Sequence, residues 1–143
     1  MDPFLELFDL VGDLARHRYQ AGERGFAQLG LSHTEGRLLT LLQQAGGEAP
    51  QDALSNGLSV DRSNAVRALQ RLAENGFVLR RKDEADRRAN LIQMTPKGAK
   101  VILKIGKLRE ELARNLFGDL QESEAAVVVE LLRKALPGGA GDR

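Results

Sequence analysis

The chain has 143 residues, 42% apolar and 29% charged, the composition of a folded protein with enough length to bury a core. It has no Cys and no Trp, which excludes disulfides, thiolate metal sites and cysteine redox sensing and leaves Leu, Val, Ile and Ala to fill the core. The net charge of +1 hides a division: between Arg62 and Lys97 nine basic residues face four acidic ones, net +5, leaving −4 for the remainder.

A basic block inside an acidic chain is the electrostatic footprint of polyanion binding, the plainer alternative being a solvated charged surface. No apolar run approaches the roughly 20 residues of a membrane span, and the N-terminus lacks a basic-then-apolar leader pattern. The expectation is a cytoplasmic protein with no membrane partner.

In chain order, Phe4, Leu7, Phe8, Val11, Leu14 and Ala15 recur at helical spacing from Pro3 to about Tyr19. Asp2 before Pro3 suits an N-cap followed by a first-turn proline. Gly22, Gly25 and Gly30 predict a link over residues 21–30. Ser32-His33-Thr34-Glu35 is a capping box, and the helix it opens carries Leu38, Leu39, Leu41 and Leu42 to about Gln44. A loop through Gly46-Gly47 leads to Pro50, read as the first turn of a short helix through Leu54. Gly57, Leu58, Ser59 and Val60 form the turn that follows.

DRSNAVRALQRLAENG (61–76) is the third helix of a helix-turn-helix core. At 100° per residue, Ala65, Ala68, Leu69 and Leu72 share a core face, whereas Ser63, Arg67, Gln70 and Glu74 point away with Asn64 and Arg71 flanking. Small polar groups and guanidinium groups on an outward face suit base edges and phosphates. Gly76 marks the stop. VLRRK (78–82) and ANLIQMT (89–95) then form a two-stranded ribbon around a charged turn, DEADRR (83–88), in which Asp86 is placed to fix the tip through Arg88. A helix running into a basic ribbon is the pattern of a winged helix.

From Pro96 to about Phe117, Val101, Ile105, Leu108, Leu112 and Leu116 form the seam of a long helix. Glu124 to Leu136 is a last helix, stopped by Pro137-Gly138-Gly139, and residues 138–143 are expected to be a disordered tail. The apolar stripes of the first helix and the last two exceed what a small winged helix needs for itself. They predict a dimerisation layer, the alternative being that they wrap their own core.

With these residues laid out, the chain resembles the MarR family of regulators over nearly its full length. DRRANLIQMTPKG (86–98) is similar to the family's wing signature, an Asp-x-Arg pair before an apolar strand, then a Thr and a Gly. VDRSNAVRALQRLAENGFVLRR (60–81) is similar to its recognition helix and the run into the wing. Ser59 stands where the family often has Gly, Gly57 interrupts the preceding helix, and Asn90 falls where an apolar residue is usual.

The resemblance implies a mostly α fold with a small β-wing, in which a winged helix-turn-helix core is flanked by N- and C-terminal dimerisation helices. Residues 1–20 and 97–137 would be the dimerisation region and residues 31–96 the DNA-binding lobe. It implies a homodimeric, non-enzymatic regulator of double-stranded DNA, often a repressor of a near-palindromic operator, with no cofactor and no metal. Arg62, Ser63, Asn64, Arg67, Arg71, Arg81, Arg87 and Arg88 are the candidate DNA-binding residues and Asp86 the wing-stabilising one. Many members release DNA on binding a small phenolic or anionic effector, for which Arg16, His17 and Tyr19 are candidates. A winged helix used for protein–protein contact is the rival reading, since a fold does not fix its use. An enzyme finds no support: there are two His and no phosphate loop or nucleophile elbow.

Overall fold

A computed structural model describes residues 1–58 and 62–137. The elements run α1 (Pro3–Gln28), α2 (His33–Gln44), β1 (Glu48–Pro50), α3 (Gln51–Asn56), α4 (Arg62–Glu74), β2 (Val78–Lys82), β3 (Asn90–Met94), α5 (Pro96–Leu116) and α6 (Glu122–Ala135). The turn expected at Ser59 and Val60, with Asp61, and the tail expected over residues 138–143 lie outside the described residues. The predicted mostly α fold with a small wing is the fold observed, with two differences from the sequence reading.

The first difference is the length of α1. It does not end near Tyr19 but runs through Gly22 and Gly25 to Gln28, and the link shrinks to four residues. Glycine costs a helix interior about 1 kcal/mol relative to Ala, yet at Gly25 close packing favours it. A Cβ on Gly25 would lie 2.8 Å from Cδ2 of Leu108 on α5, and one on Gly22 would meet the His33 ring at 3.4 Å. The backbone of α1 thus lies directly against α5 and the start of α2.

The second difference is a third strand. Glu48–Pro50 is extended and pairs antiparallel with β3, giving the order β1-β3-β2. Pro50 is therefore not the first helical turn. It is extended at φ −61°, ψ 142° and precedes α3; as the last residue of an edge strand it forfeits no interior ladder bond. Registers Ala49↔Ile92 and Arg80↔Ile92 align one residue of each strand on one face of the sheet, where Ile92 and Ala49 are buried and Arg80 is exposed.

One core joins these elements. Leu38, Leu39 and Leu42 of α2 pack with Ala65, Ala68, Leu69 and Leu72 of α4, Val78, Ile92 and Ala49 of the sheet, Leu54 of α3, and Val101 and Ile105 of α5. The core face anticipated for α4 is the buried one. The capping box of α2 forms in full: Ser32 Oγ accepts from the Glu35 amide and Glu35 Oε1 from the Ser32 amide, both at 3.1 Å. Outside the core the picture reverses. Residues 1–20 are all exposed, and α6 buries none of its residues. Among the described residues no helix is long and apolar enough to cross a membrane.

Candidate nucleic-acid interface

The amphipathicity of α4 settles which way its polar residues face. With Ala65, Ala68, Leu69 and Leu72 held in the core, Arg62, Ser63, Asn64 and Arg67 stand in solvent at the N-terminal end. Arg62, Ser63, Val66 and Arg67 line an open depression there. Arg67 Nη2 donates to Asn64 Oδ1, one turn back. Arg62 Nη2 lies 2.6 Å from Asp52 Oδ1 on α3, both side chains well exposed. Pairs that exposed contribute little, and their guanidinium groups remain open to a competing phosphate.

At the other end α4 closes on a glycine turn. Gly76 has φ +80°, its amide donates to Ala73 O at 3.1 Å, and the Phe77 amide donates to Leu72 O at 2.9 Å. These are the paired bonds of a Schellman stop, and the chain leaves in the direction of β2.

The wing tip is shaped by two carboxylates. Asp83 Oδ1 accepts from the Ala85 amide at 2.9 Å, and Asp86 Oδ1 from the Arg88 amide at 3.1 Å. The Asp86 carboxylate also lies 3.9 Å from Arg88 Nε, while the Arg88 side chain is 97% exposed. Asp83 and Asp86 therefore serve the backbone of the tip, and Arg87 and Arg88 project into solvent.

Two further candidate arginines, Arg71 and Arg81, pair with carboxylates of other elements. Arg71 points back to α2, its Nε 3.6 Å from Oε1 of the buried Glu35. Arg81 Nη2 lies 3.2 Å from Glu48 Oε1, which also accepts from Gln93 Nε2 at 2.9 Å, so one β1 carboxylate ties β2 and β3. Asn90 opens β3 with its amide 3.5 Å from Gln51 Oε1. Sequence spacing alone does not reveal these partners, which lie 33 to 45 residues away in all four cases.

The three effector candidates are not brought together. Arg16 pairs with Asp13 in solvent at 3.2 Å. His17 lines a cavity of about 470 Å³ between α1 and α5, with Arg24, Gln28, Leu108, Glu111 and Asn115. Tyr19 instead stacks on His33, ring centroids 4.3 Å apart, and Phe26 meets the same imidazole edge-on. His33 was not foreseen as a site residue; burial, then the guanidinium of Arg37, hold its pKa below 6.5 despite an opposing effect of Glu23. Among the described residues no cluster of three or more His, Asp or Glu could hold a metal ion.

Three short-linked helices, the third with a polar outward face, and a basic ribbon behind it define a winged helix-turn-helix protein. A family model described as "MarR family" matches residues 31–89. The multiple antibiotic resistance protein MarR of Salmonella typhimurium is 29% identical over 144 residues, covering 92% of this chain and 96% of that protein. The HTH-type transcriptional regulator BilQ of Clostridium symbiosum is 32% identical over 84 residues. The chain spans only 58% of the length of BilQ and 63% of that of the regulator YdgJ of Bacillus subtilis. Wild-type apo MarR from E. coli superposes with a TM-score of 0.83 at 25% identity, covering 96% of this chain and 98% of that one. A mutant E. coli MarR complexed with operator DNA gives 0.78 at 26%, covering 96% and all of that chain. The chain thus resembles the MarR family in sequence over residues 31–89, and its fold is that of MarR over nearly its whole length.

Proposed function

We propose that this protein is a homodimeric repressor that reads a near-palindromic operator with α4 and grips the flanking backbone with its wing. The observation that carries this reading is the exposure of the Ser63, Asn64 and Arg67 face of α4 together with that of Arg87 and Arg88 on the wing, on a fold shared with a MarR bound to operator DNA. Asn and Arg side chains can pair with base edges in the major groove, and wing arginines neutralise phosphate or enter the minor groove. In this reading residues 31–96 are the DNA-binding lobe, and residues 1–20 with residues 97–137 the dimerisation region.

Dimerisation is supported by apolar surface that the single chain leaves open. Phe4 is 83% and Phe8 77% exposed on α1, and Val127, Val128, Leu131 and Leu132 are exposed on α6. Patches of this kind mark interaction surfaces. A two-fold dimer would present two recognition helices to half-sites roughly 34–36 Å apart, one turn of duplex. A small phenolic or anionic effector would relieve repression by favouring a dimer geometry with another spacing. The α1–α5 cavity, with His17 and Arg24 on its wall, is the supported place for it.

The test is binding of the purified protein to a duplex it selects from a randomised pool, and to a scrambled duplex, across a salt series. Specific binding at one dimer per site should weaken with a log–log slope of about −0.9 per phosphate neutralised. Arg67→Ala should relax sequence discrimination, and Arg88→Ala should weaken binding to both duplexes and reduce the slope by about one. Parent-like behaviour of both variants, or binding insensitive to salt, would refute this DNA face.

A further inference from the structure

The end of α4 and the start of α5 are joined by more bonds than a helix stop needs. The Schellman turn at Gly76 closes α4 by itself, without using the carbonyls of Asn75, Gly76 and Phe77. All three are taken by the residues that open α5. The Lys97 ammonium donates to Asn75 O at 2.6 Å, the Thr95 hydroxyl to Gly76 O at 2.5 Å, and the Thr95 amide to Phe77 O at 3.1 Å. The Thr95 hydroxyl oxygen also accepts from the Gly98 amide at 3.1 Å as the N-cap of α5. The Lys97 ammonium sits 4.6 Å from the centroid of the Phe77 ring. Gly98 is buried, and a Cβ there would land on the Phe77 carbonyl oxygen.

We propose that Thr95 and Lys97 are positioning residues that latch the recognition helix α4 to α5, so that the two move as one body. The inference deepens the DNA-binding reading and rests on it. Lys97 belongs by sequence to the basic block, yet its ammonium is committed to the carbonyl end of α4, where a cation complements the helix dipole. It is thereby assigned to helix positioning and not to a phosphate. From the latch, α5 continues through Val101 and Ile105 in the core to Leu108, which lies against Gly25 of α1. A shift in how α1 and α5 pack is therefore carried along a single helix to the base of α4. Specificity depends on that helix's angle, whereas general phosphate attraction does not.

The experiment uses the full chain, the duplex selected by the parent protein and a scrambled duplex. Thr95→Val keeps the shape and removes the hydroxyl, Thr95→Ser keeps the hydroxyl, and Lys97→Met keeps the stem and removes the charge. Thr95→Val and Lys97→Met should each lose about tenfold in affinity for the selected duplex. Their affinity for the scrambled duplex should stay within about twofold and their salt slopes should match the parent's. Thr95→Ser should restore parent behaviour, and the Thr95→Val/Lys97→Met pair should be less than additive, as members of one latch are.

A slope reduced by about 0.9 in Lys97→Met would show a phosphate contact and overturn the assignment. So would undiminished discrimination in both variants, or equal losses on both duplexes that Thr95→Ser fails to repair. A parent protein that selects no duplex at any salt would remove the DNA reading itself, an outcome distinct from a discriminating parent with unaffected variants.

Discussion

Arg71 of the recognition helix lies with its Nε 3.6 Å from Oε1 of Glu35, the carboxylate that also completes the capping box of α2. Glu35 is only 6% exposed. A carboxylate so placed is costly to bury unless partnered, and here its partners are one backbone amide and one guanidinium. The ion pair therefore joins α2 to α4 next to the face proposed to meet DNA. Glu35→Ala should destabilise by about 1–3 kcal/mol, losing the cap bond and the partner of Arg71 together. Glu35→Gln, which keeps an acceptor, should cost less. Denaturant unfolding of Glu35→Gln, Arg71→Ala and the double variant checks this: the two changes should be non-additive if the residues act as a pair.

The packing of α1 on α2 and α5 predicts opposite outcomes for two glycines. A Cβ on Gly36 would penetrate the Phe26 ring, whereas one on Gly106 of α5 would meet nothing within 4 Å. Gly36→Ala should therefore destabilise by about 1–3 kcal/mol through overpacking. Gly106→Ala should stabilise by up to about 1 kcal/mol through helix propensity. Thermal melts of the two variants against the parent test the pair, and Phe26→Leu added to Gly36→Ala should recover part of the loss.

How much of this was legible in the sequence follows from the range of each interaction. The core face of α4, the capping box at Ser32 and the stop at Gly76 all depend on neighbours within a turn or two, and spacing alone located them. The continuation of α1 was not legible because Gly22 and Gly25 read locally as helix breakers. Their reason, the approach of Leu108 and His33, lies far along the chain or in another element. Strand β1 is three residues long, too short for alternation to show. The Arg88 and Asp86 contact was within reach of sequence reasoning because the residues are two apart. The engagements of Arg71 and Arg81 were not, since Glu35 and Glu48 approach them only through the folded lobe. Thr95 was visible as part of a wing signature, but its bond to Gly76, 19 residues back, was not.

The exposed apolar faces of α1 and α6 give a prediction about assembly. Phe8 is 77% exposed in the single chain, so a charge there should leave the monomer's own core untouched. Phe8→Glu should be folded by circular dichroism and shift the sedimentation equilibrium from dimer toward monomer. A buried aromatic anchor at an interface commonly contributes about 2 kcal/mol or more, which corresponds to a dissociation constant raised roughly 30-fold. A parent protein that sediments as a monomer, or a variant that dimerises like the parent, would remove α1 from the interface.

His33 gives a prediction about pH. Its ring is held between Tyr19 and Phe26 at the junction of α1 with α2. Burial is the largest influence on it, Arg37 and Arg18 add repulsion, and Glu23 opposes them, with the result that its folded pKa lies below 6.5. The unfolded chain, with an ordinary His pKa of about 6.5, therefore takes up a proton more readily than the folded one. The neutral ring's contribution to stability is fully present above pH 6.5. It is lost progressively as pH falls through the window between the unfolded and the folded pKa, and below that window the loss levels off. Unfolding free energy measured from pH 8 to 5 should show this decline in the parent. His33→Phe, which keeps an aromatic ring without a proton site, should flatten it. Arg37→Gln should narrow the window from its low-pH end, because removing a repelling cation raises the folded pKa toward the unfolded one. A parent and His33→Phe with identical pH profiles would show that protonation at this junction is not linked to folding.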